Sequence, residues 1–121
     1  MAVVSTVEVK YENKRLQELF SDHSKLVKKL GMNMTRAIKK RTNEIKASVS
    51  FQQWLDTRLG NPHQLVGDLL DYYGVSLTSN VRLILRPEAN DHSPESLSKC
   101  IAVVVKGVCD YHGDKKDWII S

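Results

Sequence analysis

The spacing of apolar residues changes near residue 70, and this change constrains the fold more than any other feature of the chain. Between residues 13 and 45, apolar side chains recur every three or four positions, as on the buried stripe of an amphipathic helix. From residue 75 onward they alternate with other residues, which is typical of strands with one buried face. The sequence therefore predicts helices first and an antiparallel-rich sheet afterwards, in an α+β fold.

Two helices are predicted in the first half, separated at Gly31, because glycine suits the end of a helix. Their apolar stripes are Leu16, Leu19, Phe20, Val27 and Leu30 in the first helix, and Met34, Ala37, Ile38 and Ile45 in the second. Before them, "VVSTVEVKY" predicts a strand whose inward positions are Val3, Thr6 or Val7, and Val9. After them, "SFQQWLDTRLGNPHQLVGDLLD" predicts a short helical turn that leads into a loop at Gly60-Asn61-Pro62.

The second half predicts three strands. The segment "YYGVSLTSNVRLILRP" predicts a hairpin around Thr78-Ser79-Asn80, with Val75, Leu77, Val81, Leu83 and Leu85 on one face. Polar "EANDHSPESLSK" predicts an exposed loop, and the last strand follows from about Lys99 to Cys109. The element order is β-α-α-β-β-β, in which a helical hairpin packs on a twisted sheet. We expect one domain over residues 1–121, with a short tail from about residue 113.

Composition excludes several classes of protein. No apolar run is long enough to span a bilayer, and "MAVVSTVEVK" lacks the layout of a signal peptide, so a cytosolic protein is expected. Cys100 and Cys109 are expected to lie on one strand or at its edges, where a disulfide between them has poor geometry, and they lack metal-ligand spacing. Both are interpreted as reduced and structural.

Charge is distributed unevenly along the chain. Residues 1–60 carry 12 Lys and Arg against 6 Asp and Glu, whereas residues 61–121 carry 6 against 8. Much of the basic excess lies in "KKLGMNMTRAIKKRTNEIK", and a cationic surface of this kind favours a phosphate-rich partner. A solvated helix face that carries Lys for solubility is an equally plain interpretation.

The residues best suited to proton transfer lie on either side of the predicted hairpin. Histidine titrates near neutral pH, and we single out two of the four histidines: His63, ahead of the sheet, and His112, just beyond the last strand. His112 follows Asp110 and Tyr111 directly. Asp110 can orient an imidazole, although Asp-Tyr-His at this point can equally be a strand ending, with the Asp bonding to a backbone N–H group.

These segments, in this order, resemble the RelE/ParE superfamily of bacterial type II toxins, specifically its HigB or plasmid-maintenance killer branch. The resemblance is carried by "NPHQLVGDLLDYYGVSLTSNVRLILRP" and the closing "DYH", and it extends from about Val7 to His112. It implies a bacterial, cytoplasmic endoribonuclease that cuts messenger RNA in the ribosomal A site without a metal or other cofactor. It also implies silencing by a cognate HigA-like helix-turn-helix antitoxin.

The resemblance places the functional histidine at His63 and the terminal functional triplet at Asp110, Tyr111 and His112. In metal-free cleavage the 2′-hydroxyl of the RNA attacks the adjacent phosphorus, so the protein moves protons and stabilises a phosphorane. The basic residues expected to bind RNA are Arg82, Arg86, Lys106, Lys115 and Lys116. Arg82 is the preferred phosphate clamp, with an ion pair to Asp68 or Asp71 as the structural alternative.

Two features depart from the pattern of the family. The loop "EANDHSPESLSK" is long, and no Lys lies between Pro62 and Asp68. Two other functions stay open at this point. ParE relatives of the same fold are associated with inhibition of DNA gyrase, and a metal-dependent nuclease built on His63, Asp110 and His112 is conceivable, although that set holds a single carboxylate.

Overall fold

The computed structural model describes residues 6–112 and 115–121, so the predicted inward position at Val3 lies outside the described residues. Its helices are α1 (Lys14–Ser21), α2 (His23–Leu30), α3 (Met32–Lys46), α4 (Phe51–Thr57) and α5 (Pro94–Ser98), with a 3₁₀ turn at Gly67–Leu69. Its strands are β1 (Glu8–Tyr11), β2 (His63–Gln64), β3 (Tyr73–Ser76), β4 (Val81–Pro87), β5 (Ala102–His112) and β6 (Lys115–Ile120). The α+β class predicted from periodicity is confirmed.

The six strands form one mostly antiparallel sheet in the order β1-β5-β4-β3-β2. Strand β5 is central: β4 pairs with it from Val103 to Asp110 along one edge. Along the other edge, β1 pairs in parallel from Ala102 to Val105, and β6 pairs antiparallel from Val108 to His112. Two short strands thus share one edge of β5, one after the other.

All five described helices pack on the same face of the sheet, here called the helical face. Each helix contributes at least one buried side chain to a single core cluster, which also contains the predicted inward residues Val75, Leu83 and Leu85 of the hairpin. Val7 is buried in this cluster and Val9 packs against it, as the first-strand pattern predicts. The other face, here called the open face, buries Ile84, Val104 and Cys109 outside that cluster.

Local capping explains where the helical region departs from a simple hairpin. The predicted first helix is two helices, because the Asp22 side chain accepts a hydrogen bond from the Lys25 backbone N–H and starts α2. Gly31, at φ 90°, ends α2 as predicted. The chain then enters α3, which contains all four residues predicted for the inner face of the second helix.

The segment after the hairpin is corrected in three places. The predicted exposed loop contains α5, which Ser93 caps and which buries Leu97 against the core. The last strand does not end near Cys109 but continues through Asp110 and Tyr111 to His112. From Lys115 onward, the predicted tail is strand β6, because its residues pair with the far half of β5.

No helix within the described ranges is long and apolar enough to cross a bilayer.

Candidate functional site

The open face carries most of the basic and aromatic side chains that were predicted to bind RNA. In antiparallel pairing, directly opposite residues share a face, and so do residues two apart on one strand. Arg82 lies opposite Cys109, which lies opposite Trp118, and Tyr111 lies opposite Lys116. Arg86 lies opposite Val104, four residues along β4 from Arg82. These residues therefore form one cationic and aromatic surface.

Lys106 links the two halves of the open face. Strand β5 has a bulge at this point, since Ile84 pairs with Gly107 and Leu85 with Val105, which leaves Lys106 without an opposite residue. The Lys106 Nζ atom lies 5.6 Å from the ring centroid of Tyr72 and 5.7 Å from that of Trp118. An ammonium group between two aromatic rings is held over the sheet by cation–π attraction.

Tyr72 extends across the sheet from β3 toward β1. Its hydroxyl lies 3.3 Å from both carboxylate oxygens of Glu12. Burial raises the pKa of Tyr72, the Glu12 carboxylate raises it further, and Arg86 opposes both by hydrogen bonding and charge. The phenol thus stays protonated at neutral pH and remains a hydrogen-bond donor.

Arg82 is fixed by the turn of the hairpin rather than by a carboxylate. Its Nη1 donates to the backbone carbonyls of Thr78 at 2.9 Å and of Ser79 at 3.2 Å. Neither Asp68 nor Asp71, the two acidic partners considered from the sequence, forms an ion pair with it within the described ranges. The guanidinium is half-buried beside Tyr111, and its remaining N–H groups are the donors available to a ligand.

Tyr111 places a phenol at the upper end of the open face. Its hydroxyl is buried and has no hydrogen-bond partner among the described residues. Burial raises its pKa most, the neighbouring Cys109 thiol adds to this, and the charge of Arg82 acts against it. A buried hydroxyl without a partner carries a desolvation cost.

Asp110 and His112 lie on the opposite side of the strand from Tyr111, because successive residues of a strand alternate between faces. With Asp117 of β6 they form what we call the terminal cluster. His112 Nε2 lies 3.2 Å from Asp110 Oδ2 and 3.9 Å from Asp117 Oδ2, so both carboxylates lie near the same ring nitrogen. Asp110 Oδ1 is buried without a partner among the described residues. Asp117 was not singled out from the sequence.

The terminal cluster lies at the end of the sheet. Strand β4 begins at Val81, opposite Asp110, and the Tyr111 backbone N–H donates to the Asn80 carbonyl at 2.9 Å. Tyr111 and His112 thus extend beyond β4, on an arm formed by β5 and β6 alone. At this arm the open face and the cluster are separated only by the thickness of one strand.

His63 is not brought to the terminal cluster. It lies on the edge strand β2, in a row of paired residues that crosses the sheet to β5. The row continues through Gly74 of β3 and Ile84 of β4 and ends at Gly107 of β5. Three strand spacings and five residues along β5 therefore separate the Cα atoms of His63 and His112, roughly 20 Å. An acid and a base that act on one phosphodiester must both be within hydrogen-bond reach of it. His63 is exposed, and its register assigns it to the open face.

The remaining residues predicted at the site have less definite contacts. Lys115 and Lys116 are exposed at the start of β6, not on a free tail, and Lys116 shares the open face with Tyr111. Trp118 is 39% exposed. His92 Nδ1 lies 3.2 Å from the Tyr73 hydroxyl, and this contact attaches the segment before α5 to β3.

Within residues 6–112 and 115–121, no group of three or more His, Cys, Asp or Glu side chains is arranged to hold a metal ion. Cys100 and Cys109 are both free and buried; Cys100 precedes β5 and Cys109 lies on it. Comparison of the chain with protein-family models, with curated proteins and with solved structures finds no match.

Proposed function

We propose that this chain is a RelE/ParE-like toxin of the HigB type, an endoribonuclease that inhibits translation by cutting messenger RNA on the ribosome. The observation that carries the proposal is the open face: three aromatic rings and four cations on one side of a sheet that ends at the Asp110–His112 pair. Single-stranded RNA is commonly bound by such surfaces, since bases stack on rings while phosphates meet Lys and Arg.

In this proposal the RNA lies along the open face and passes round the arm of β5 and β6. The rings of Tyr72, Trp118 and Tyr111 are the stacking surfaces. Arg82 binds the phosphate that is cut, because its guanidinium is held by the turn and needs little reorganisation as charge develops. Arg86, Lys106 and Lys116 bind the phosphates on either side, whereas Lys115 lies opposite His112, off the open face, and is available only where the RNA passes round the arm.

The chemistry requires no protein nucleophile. His112 accepts the proton of the RNA 2′-hydroxyl, and the resulting oxygen attacks the adjacent phosphorus. The bond to the 5′-oxygen then breaks, and that oxygen takes a proton from water, because the Tyr111 hydroxyl is buried on the other side of the strand. Asp110 orients the imidazole through its 3.2 Å contact with Nε2 and stabilises the imidazolium that forms. The products end in a 2′,3′-cyclic phosphate and a 5′-hydroxyl.

His63 takes a binding role here and not a proton-transfer role. Its distance from His112 prevents both rings from reaching one phosphodiester, whereas its position on β2 allows contact with RNA farther along the open face. We expect His63→Ala to raise KM with little change in kcat, and His112→Ala to lower kcat by about a hundredfold.

The experiment uses purified chain, bacterial ribosomes and a defined message, with cleavage mapped at single-nucleotide resolution. A matched message carries one 2′-deoxynucleotide at the cut site. Cleavage of the first message to cyclic-phosphate ends, and no cleavage of the second at that position, is the expected result. Omitting the ribosomes tests whether they are needed. His23→Ala, an exposed histidine on α2, serves as the matched control and should cut normally.

Inhibition of DNA gyrase is the second candidate function. The wide separation of His63 and His112 favours it, because the chain does not set two histidines on one phosphate as a two-histidine nuclease requires. Intact message together with inhibited supercoiling, unchanged by Asp110→Asn, would establish this alternative and refute the ribonuclease.

The partners proposed with the ribonuclease are a HigA-like helix-turn-helix antitoxin and the ribosomal A site. Both rest on the sequence resemblance. Co-expression with the protein encoded beside this chain is a direct test, since an antitoxin should restore growth and co-purify with the chain.

A further inference from the structure

A cavity of about 430 Å³ lies between α1, α2 and the end of β6, and Trp118 of the open face forms part of its wall. Its apolar lining includes Leu19, Trp118 and Ile119, and the last two are 39% and 38% exposed. Adjoining exposed apolar side chains of this size usually mark a surface that binds something.

The cavity lies at the edge of β6 rather than on one of its faces. Four successive residues, Trp118 to Ser121, line it. Trp118 lies opposite Cys109 on the open face, Ile120 lies opposite Val108 on the helical face, and Ile119 lies between them at a bulge. The cavity therefore reaches side chains from both faces of β6, as a cavity beside the strand does. One edge of β6 pairs with β5, and no described strand pairs with the other. That edge therefore carries unpaired backbone N–H and C=O groups, which can pair with an added strand.

The charge around the cavity is positive. Arg15, Lys25 and Lys29 line it with a single acidic residue, Glu18. The Arg15 guanidinium donates to the Ser121 backbone carbonyl, which holds the end of β6 against α1. An occupant that pairs with the edge would meet the two lysines at its side, so acidic side chains are favoured on it.

We propose that the outer edge of β6 binds an extended acidic segment of a partner protein, which adds a strand to the sheet and inserts an apolar side chain into the cavity. A second copy of the chain fits less well, because it would bring a second set of the same cations to the interface. The site shares Trp118 with the proposed RNA surface but uses neither the terminal cluster nor Arg82, so peptide binding can be measured whether or not the chain cuts RNA.

The test uses synthetic peptides of about eight residues that alternate Glu with Val or Ile, matching the two-residue period of an added strand. One control peptide replaces every Glu with Lys, and another carries N-methyl groups on alternate backbone amides. Trp118 reports binding, because the only other tryptophan, Trp54, is fully buried. We expect saturable blue-shifted emission with the acidic peptide and none with either control.

Charge reversal on the protein completes the test. Lys25→Glu with Lys29→Glu should weaken binding by at least about tenfold. Lys28→Glu with Lys40→Glu reverses two exposed charges that do not line the cavity and should leave binding unchanged. Equal binding of the N-methylated or the basic peptide, or no binding at all, overturns the proposal. Sedimentation that reveals a dimer through this edge, with the same change in Trp118 emission, overturns it in favour of self-association.

Discussion

The open face makes a quantitative prediction about the salt dependence of RNA binding. For single-stranded nucleic acid, the logarithm of affinity falls with the logarithm of salt concentration with a slope of about −0.7 per neutralised phosphate. Arg82, Arg86, Lys106 and Lys116 on this face would neutralise four phosphates, which gives a slope of about −2.8. Between about 50 and 200 mM salt, affinity should then fall about 50-fold.

Removing one of these charges should change the slope by a known step. In Lys106→Gln the slope becomes about −2.1, so the same change in salt costs only about 18-fold in affinity. The substitution also removes the contacts of the ammonium with the rings of Tyr72 and Trp118, which lowers affinity at every salt concentration. Fluorescence anisotropy with a labelled 2′-O-methyl RNA measures both effects, because that RNA cannot be cleaved through its 2′-oxygen.

The matched control is Lys28→Gln, which removes a charge from the exposed side of α2, among the helices on the other side of the sheet. We expect its slope to equal that of the unmodified chain. If Lys28→Gln changes the slope as much as Lys106→Gln does, phosphates bind the helical side. The assignment of RNA to the open face would then be wrong.

Three further predictions concern the sheet and the core. A Cβ atom at Gly107 would lie 2.2 Å from the backbone oxygen of Ile120 in β6. Overpacking of this kind costs about 1–3 kcal/mol, so Gly107→Ala should lower Tm by about 4–12 °C. It should also increase amide hydrogen exchange in β6. Gly74→Ala meets only a movable side chain at 3.3 Å and should cost less, and equal costs would contradict this. Burial raises the pKa of Cys100 and Cys109, so both thiols should react with a disulfide reagent at pH 8 only after the protein unfolds. Rapid reaction of either thiol in the folded protein would refute this prediction. Arg41 donates from Nη1 to both carboxylate oxygens of Glu44 and from Nε to the Ser76 carbonyl of β3. Arg41→Lys should weaken these contacts and lower the free energy of unfolding, measured by urea titration, by about 1–2 kcal/mol.

Periodicity predicted the hairpin and the helical region because their patterns are long and regular. Val75 and Leu83 alternate with their neighbours over enough residues to define one buried face, and both are fully buried. Helix α5 was missed because a single apolar residue, Leu97, anchors it within a polar segment. Strand β6 was missed for a similar reason: it starts with Lys115, Lys116 and Asp117, and its pairing with β5 is what makes it a strand.

The residues suited to RNA binding and proton transfer could be identified from their types, but their grouping could not. Alternation alone separates Tyr111 from Asp110 and His112, since neighbours on a strand point to opposite faces. Which face carries the helices is decided by the core, and this assigns Tyr111 to the side of Arg82 and Lys106. The distance between His63 and His112 depends on strand order and register, which join residues far apart in the chain.

The sequence by itself determined the α+β class, the hairpin and which side chains carry charge, aromatic rings or imidazole groups, because each depends on local patterns and side-chain chemistry. Only the tertiary structure decided that those residues divide between an open face and a terminal cluster, and that the end of the chain forms an edge strand beside a cavity. The physical reason is that sheet pairing is non-local: strand order and register assign each side chain its face and its neighbours.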